Sequence, residues 1–77
     1  VELLNKLMLI FRDIFDDDTL IITEQTVPED VENWDSIGHL YLVCELEDEF
    51  ELKISEKMKE VKKVSDIIDL LMAELNQ

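Results

Sequence analysis

The sequence predicts an all-α fold: a bundle of three long helices and one short one, with a long ordered loop between the first and the second. Three observations carry this. Apolar residues recur at helical spacing in three separate stretches, near 3–15, 36–50 and 64–75. The hydrophobic share is 47%, which excludes a disordered acidic tail. The single cysteine, Cys44, excludes an internal disulfide, and no Cys/His cluster has zinc spacing, so packed helices or binding must supply the stability. At 77 residues the chain makes one domain, 1–77, with no room for a second core.

The first helix is read from Leu3, Leu4, Leu7, Met8, Phe11, Ile14 and Phe15, spaced i, i+3, i+4, i+7. Asp16-Asp17-Asp18 ends it, because three acids at a helix C-terminus face the wrong end of the dipole. From 16 to 34 periodic signals are few, and Pro28 disfavours helix at Val27. So long a connection in a small domain needs anchors. Leu20, Ile21, Ile22, Val31 and Trp34 are expected to pin it to the core, with a short turn of helix on the way.

The second helix opens at Asp35-Ser36, both good N-caps, and runs to about Glu51. "LKIS" reads as an extended linker and "EKMKEVKK" as a short helical turn. The last helix starts near Val64 or Ser65, with Ser65 as the cap, and runs to about Leu75. Its inward residues are Val64, Ile67, Ile68, Leu71 and Leu75.

The second helix is apolar on two sides. At 100° per residue, His39, Leu42, Val43, Leu46 and Phe50 form a core stripe. Ile37, Leu40, Tyr41 and Cys44 fall on another arc, with Glu47 and Asp48 among them and Glu45 and Glu49 further round. That arc either packs beneath the long loop or is a partner-docking face with an acidic rim. No Lys or Arg occurs between Asp13 and Leu52, so the face is one-signed. For Glu49 and Glu51, plain solvation is the competing reading.

The formal net charge is -13. It argues against nucleic acid and anionic membrane surfaces as partners and favours proteins with basic patches. No stretch is long and apolar enough for membrane insertion and no signal peptide is visible, so a cytoplasmic monomer is expected. Asp16-Asp17-Asp18 lacks the Gly and terminal Glu of an EF-hand, so no metal site is assigned, only weak divalent binding on charge. Cys44 reads as an ordinary, partly exposed thiol.

Ser36 has no placed base. His39, one turn on, heads for the core stripe, so no catalytic residue is assigned and the chain is read as a non-enzyme. Free N–H groups and the positive end of a helix dipole do favour an attached phosphate, so Ser36 reads as a serine that is modified.

"WDSIGHLYLVCELEDEF" resembles the signature of the acyl carrier protein family: Asp-Ser-Ile, an apolar helix, then Leu-Glu-acid-acid-Phe. The first amphipathic helix, the long loop, "ELKIS" and "VSDIIDLL" follow in family order over nearly the whole chain. The resemblance implies an acyl-carrier-like four-helix bundle of the stand-alone type. It implies a 4'-phosphopantetheine arm on Ser36, added from coenzyme A by a phosphopantetheinyl transferase, with Asp35 helping to contact that enzyme. The arm would hold acyl or aminoacyl groups as thioesters. Ile37, Leu40, Tyr41, Cys44, Glu47 and Asp48 occupy the partner-recognition positions. Val43, Leu46, Phe50, Ile54, Ile68 and Leu71 would line the core, where some members shelter the acyl chain. Implied partners are an acyl-loading ligase or acyltransferase and downstream acyl-using enzymes.

Some residues depart from the pattern of fatty acid synthesis. Gly38 stands where an acid is common and costs roughly 1 kcal/mol in a helix interior relative to Ala. Tyr41 and Cys44 are unusual there, the peptidyl-carrier Gly-Gly-(His/Asp)-Ser is absent, and Trp34 before Asp35 resembles carriers of specialised pathways. The pathway stays open between a specialised one and fatty acid or polyketide synthesis. The alternative reading is a small acidic helical interaction module, an adaptor or inhibitor, with Ser36 as a plain cap and no prosthetic group.

Overall fold

The computed structural model describes residues 2–75. They form four α-helices: α1 (Glu2–Ile14), α2 (Ser36–Phe50), α3 (Ser55–Met58) and α4 (Val64–Leu75). A 3-10 turn, Pro28–Asp30, lies within the long loop between α1 and α2, and no strand occurs among the described residues.

On α1, Leu7 and Phe11 are fully buried and Ile10 nearly so. Ile10 was outside the expected stripe, whereas Leu3, Leu4, Met8 and Ile14 are only half-buried, so the buried face is centred on 7, 10 and 11. The helix ends in local geometry. Asp17 N–H donates to the Arg12 carbonyl at 3.0 Å, and Asp16 turns left-handed at φ 52°, a conformation a short acidic side chain tolerates.

The loop is pinned where the sequence suggested, with one correction. Ile22, Val31 and Trp34 are buried and Leu20 is half-buried, but Ile21 is exposed. In a non-helical stretch successive side chains point apart, so burying Ile22 turns Ile21 outward. Trp34 meets Phe11 edge-on, with ring centroids 5.1 Å apart. Arg12 Nε donates to the Leu20 carbonyl at 2.7 Å, tying the loop to α1. Thr23 N–H donates to the hydroxyl of buried Thr26 at 2.8 Å.

The loop also starts α4. Val64 N–H donates to the Thr26 carbonyl and Ser65 N–H to the Glu24 carbonyl, each at 2.9 Å. Ser65 is therefore inside the first turn of α4 and is not its cap, since loop carbonyls satisfy the free donors that a cap would take. Along α4, Val64, Ile67, Ile68 and Leu71 are buried as expected, but Leu75, in the last turn, is exposed. The short helix takes Ser55 from the expected linker and stops at Met58, so "EKMKEVKK" is only partly helical.

The core joins Leu7, Phe11, Leu42, Leu46, Ile54, Met58, Val64, Ile67 and Leu71, none with measurable exposure. Burying each such side chain contributes about 1.5–3 kcal/mol before entropy is counted. Against that stands self-repulsion. There are 20 acids to 7 bases. The ion pairs among the described residues are three: Lys6–Glu49, Lys57–Glu74 and Lys59–Glu56.

Added salt, millimolar magnesium and mild acid should each raise the melting temperature by a few degrees, because all three weaken that repulsion. Strong acid should reverse the gain. The hydroxyl and N–H of Thr19, donating to Asp17, hold its carboxyl below the ordinary value of 3.8. A depressed carboxyl contributes stability above its unfolded pKa and loses it as pH falls through the folded one, so this contribution begins to fall at the ordinary value of 3.8 and is gone only below the depressed one. Thermal melts across salt, magnesium and pH test this. Indifference to all three would show that the acids are already neutralised.

Candidate functional site

The start of α2 is built from two consecutive residues, Asp35 and Ser36. Asp35 has extended backbone angles, and its Oδ1 accepts the Gly38 N–H at 2.9 Å. Its carbonyl accepts the His39 N–H at 2.8 Å. Asp35 is thus the N-cap, and Ser36 is the first helical residue, exposed, with its hydroxyl outside the capping bonds.

Gly38 has a purpose the helix alone does not reveal. A Cβ there would lie against the Asn33 carbonyl oxygen and 2.9 Å from Phe15 Cε1. Its absence lets the loop backbone and the end of α1 close onto the first turn of α2. Asn33 itself is left-handed, at φ 73°.

His39 joins three elements. Trp34 Nε1–H donates to His39 Nδ1 at 3.0 Å, and the two rings lie nearly parallel. An imidazole accepting at Nδ1 carries its proton at Nε2, and Nε2 lies 3.0 Å from the Met58 carbonyl, to which it donates. The loop, α2 and the end of α3 are therefore connected through one ring. Both nitrogens are engaged, so His39 is not free to deprotonate Ser36. No group of three metal-ligating side chains occurs among the described residues.

The second arc of α2 does not pack beneath the loop. Ile37, Leu40 and Tyr41 are 64%, 63% and 62% exposed, and Cys44 is an exposed free thiol. Ser36 and Leu40 line a groove of about 570 Å³ with Trp34, His39, Lys59 and Val61. Ile37 and Tyr41 open instead toward α1, beside Ile14 and Asp16.

The acids divide as well. Asp48 is exposed. Glu47 is half-buried, and its Oε2 accepts the N–H groups of Ile54 and Ser55 at 2.8 and 3.1 Å. It caps α3 from a neighbouring helix, a role the sequence pattern did not show. The one available signal was that α3 lacks an N-cap of its own, since Ile54 stands at that position. Glu49 pairs with Lys6 at 3.2 Å, and Lys6 also lies over the Phe50 ring. Glu49 is therefore more than a solvated rim residue.

No protein-family model and no curated protein matches the sequence. Among solved structures, the chain matches the solution NMR structure of a holo acyl carrier protein from Geobacter metallireducens. The TM-score is 0.89 at 34% sequence identity, over 99% of this chain and 88% of that one. The chain belongs to the acyl carrier protein family. It is a non-catalytic carrier, and the helical bundle with its long loop is the carrier fold.

In this carrier, Glu47→Gln should lower unfolding free energy by about 1–2 kcal/mol, because a charged acceptor of two backbone donors becomes a neutral one. Asp48→Asn should be neutral or slightly stabilising, since it removes one charge from a crowded surface. Urea denaturation of the two variants distinguishes a structural acid from a surface one, and equal effects would contradict the division.

Proposed function

We propose that this carrier bears 4'-phosphopantetheine on Ser36 and presents acyl or aminoacyl groups to separate enzymes. The observation that carries the reading is the freedom of the Ser36 hydroxyl. Asp35 supplies the cap, so modifying Ser36 costs the helix no cap bond. The residues present fit the group. A phosphodiester at the first residue of a 15-residue helix sits at the positive end of the dipole. Beside it, Trp34, Leu40 and Val61 offer an apolar wall for a flexible arm, with Lys59 on the same groove. When bound, the arm supplies the thiol that holds cargo as a thioester.

The chain's own residues hold and display. Asp35 fixes the helix start, Gly38 seats it, and His39 ties it to α3. Of the core positions, Leu46, Ile54 and Leu71 have no exposure, so a sheltered acyl chain would have to displace packed side chains. The exposed arc, Ile37, Leu40, Tyr41, Cys44 and Asp48, is the surface for the phosphopantetheinyl transferase, an acyl-loading ligase or acyltransferase, and acyl-using enzymes with basic patches. Glu47 acts on it indirectly, by holding α3. Residues 1–77 act as a single carrier domain in the cytoplasm. Trp34, Gly38, Tyr41 and Cys44 favour a specialised pathway over housekeeping fatty acid synthesis.

Co-expression with a broad-specificity phosphopantetheinyl transferase should add the mass of one phosphopantetheinyl group to the wild-type chain. Ser36→Ala should show no addition and an unchanged helical circular dichroism spectrum. A wild-type chain that stays unmodified would favour the adaptor reading, and an arm on Ser36→Ala would move the attachment site elsewhere.

A further inference from the structure

α3 has four residues, and a helix of about one turn does not hold itself. Ile54 and Met58 anchor it in the core, and α2 clasps it at both ends. At its start, Glu47 Oε2 accepts the N–H groups of Ile54 and Ser55. At its end, the Met58 carbonyl takes two donors: the Val61 N–H at 3.2 Å and His39 Nε2 at 3.0 Å. The two clasps differ in chemistry. Carboxylates ordinarily lose their charge near pH 4, whereas histidine is the side chain that ordinarily changes charge between about pH 5 and 8. His39 is the one histidine in the chain.

The junction is built for a neutral ring. Trp34 Nε1 can only donate, and it lies 3.0 Å from His39 Nδ1. A proton taken from solvent onto Nδ1 sets N–H against N–H at that distance. The indole is buried and packed edge-on against Phe11, whereas the imidazole is half-buried at the edge of the groove that holds Ser36. Of the two rings, the imidazole is the one placed to move. The charged groups that share this groove are Asp35 at the start of α2 and Lys59 just after α3, while Pro28 and Trp34 of the loop and Val61 bring no charge. Asp35 is engaged by the Gly38 N–H, Lys59 by Glu56, and Lys57, beside Met58, by Glu74. No carboxylate bonds the ring among the described residues, so none stands ready to take the place of Trp34 as its partner.

We propose that His39 is a proton-operated latch on α3. The neutral ring fastens the Met58 carbonyl. Protonation breaks the Trp34 bond, turns the imidazole out of the junction and frees the C-terminal end of α3, while Glu47 keeps its start in place. The freed stretch carries Lys59 and Val61, so the wall of the groove beside Ser36 loosens with it. His39 is thus a positioning residue that acts through α3. The proposal stands on the hydrogen bonds and holds whether or not Ser36 is modified.

The test is a pH series on the full chain, labelled with nitrogen-15 and followed by NMR from about pH 7.5 to about pH 5.5. At the neutral end the ring should carry its proton on Nε2. As the ring titrates, the indole N–H of Trp34, the one tryptophan in the chain, should shift with the same midpoint. Solvent exchange of the Met58 and Val61 amides, corrected for the intrinsic effect of pH, should quicken about fivefold, the worth of one hydrogen bond. The Ile54 and Ser55 amides, held by Glu47, should not follow. His39→Gln keeps an acceptor and a donor without the charge change, so its exchange should stay flat over the series. The carboxylates respond to acid alike in both chains, so the difference between the chains isolates the ring. His39→Ala should exchange quickly at Met58 and Val61 even at neutral pH. A ring protonated on Nδ1 at neutral pH, a titration that leaves the indole and the end of α3 unmoved, equal loosening at both ends of α3, or the same pH dependence in His39→Gln would overturn the proposal.

Discussion

The structure depends on a close approach at Gly38. There the loop carbonyl of Asn33 and the ring of Phe15 occupy the space that a Cβ would fill. This brings three separate pieces of chain to the first turn of α2: the end of α1, the end of the loop and the helix itself. Asp35 then caps the turn with one oxygen, and Trp34, held edge-on by Phe11, reaches His39. Ser36 is left pointing out of a helix start that is fastened on every other side. The proposed attachment residue is thus displayed by a rigid element, although it follows a 21-residue connection (15–35).

The same economy governs the acids of α2. Four of them stand close together in "ELEDE", 45–49, yet they serve different ends. Glu47 turns inward to hold the first N–H groups of α3, Glu49 pairs with Lys6, and Asp48 faces solvent. The charge expected to lower stability by self-repulsion is also the charge on which the proposed recognition of basic partners draws. The core of fully buried side chains supplies the stability against which this surface is tolerated.

Most of the fold was legible in the sequence because it rests on local periodicity. Leu7 with Phe11, and Leu42 with Leu46, follow from helical spacing alone. The exposed arc was legible too, but only as one of two alternatives, because periodicity separates two sides of a helix without saying which the loop will cover. What stayed hidden was long-range. Gly38 reads locally as a weak point in a helix, since nothing near it in sequence marks the approach of Phe15. Glu47 reads as one more surface acid, because its partners Ile54 and Ser55 come from the next helix. Ser65 reads as a cap, because the carbonyls of Glu24 and Thr26 that replace it lie some 40 residues away. At Glu47 and Ser65 the hidden feature is a backbone group satisfied from a distant segment, and at Gly38 it is a close packing approach.

The seating of α2 at Gly38 is the claim that separates this account most sharply from a reading by helix propensity, and one substitution gives the two opposite signs. In an ordinary helix interior Gly→Ala stabilises by about 1 kcal/mol. Here the added methyl has to displace the Asn33 carbonyl and the Phe15 ring. Equilibrium urea denaturation of Gly38→Ala beside the wild-type chain is the direct measurement. The account predicts a lower midpoint, whereas a midpoint equal to or above that of the wild type would contradict it.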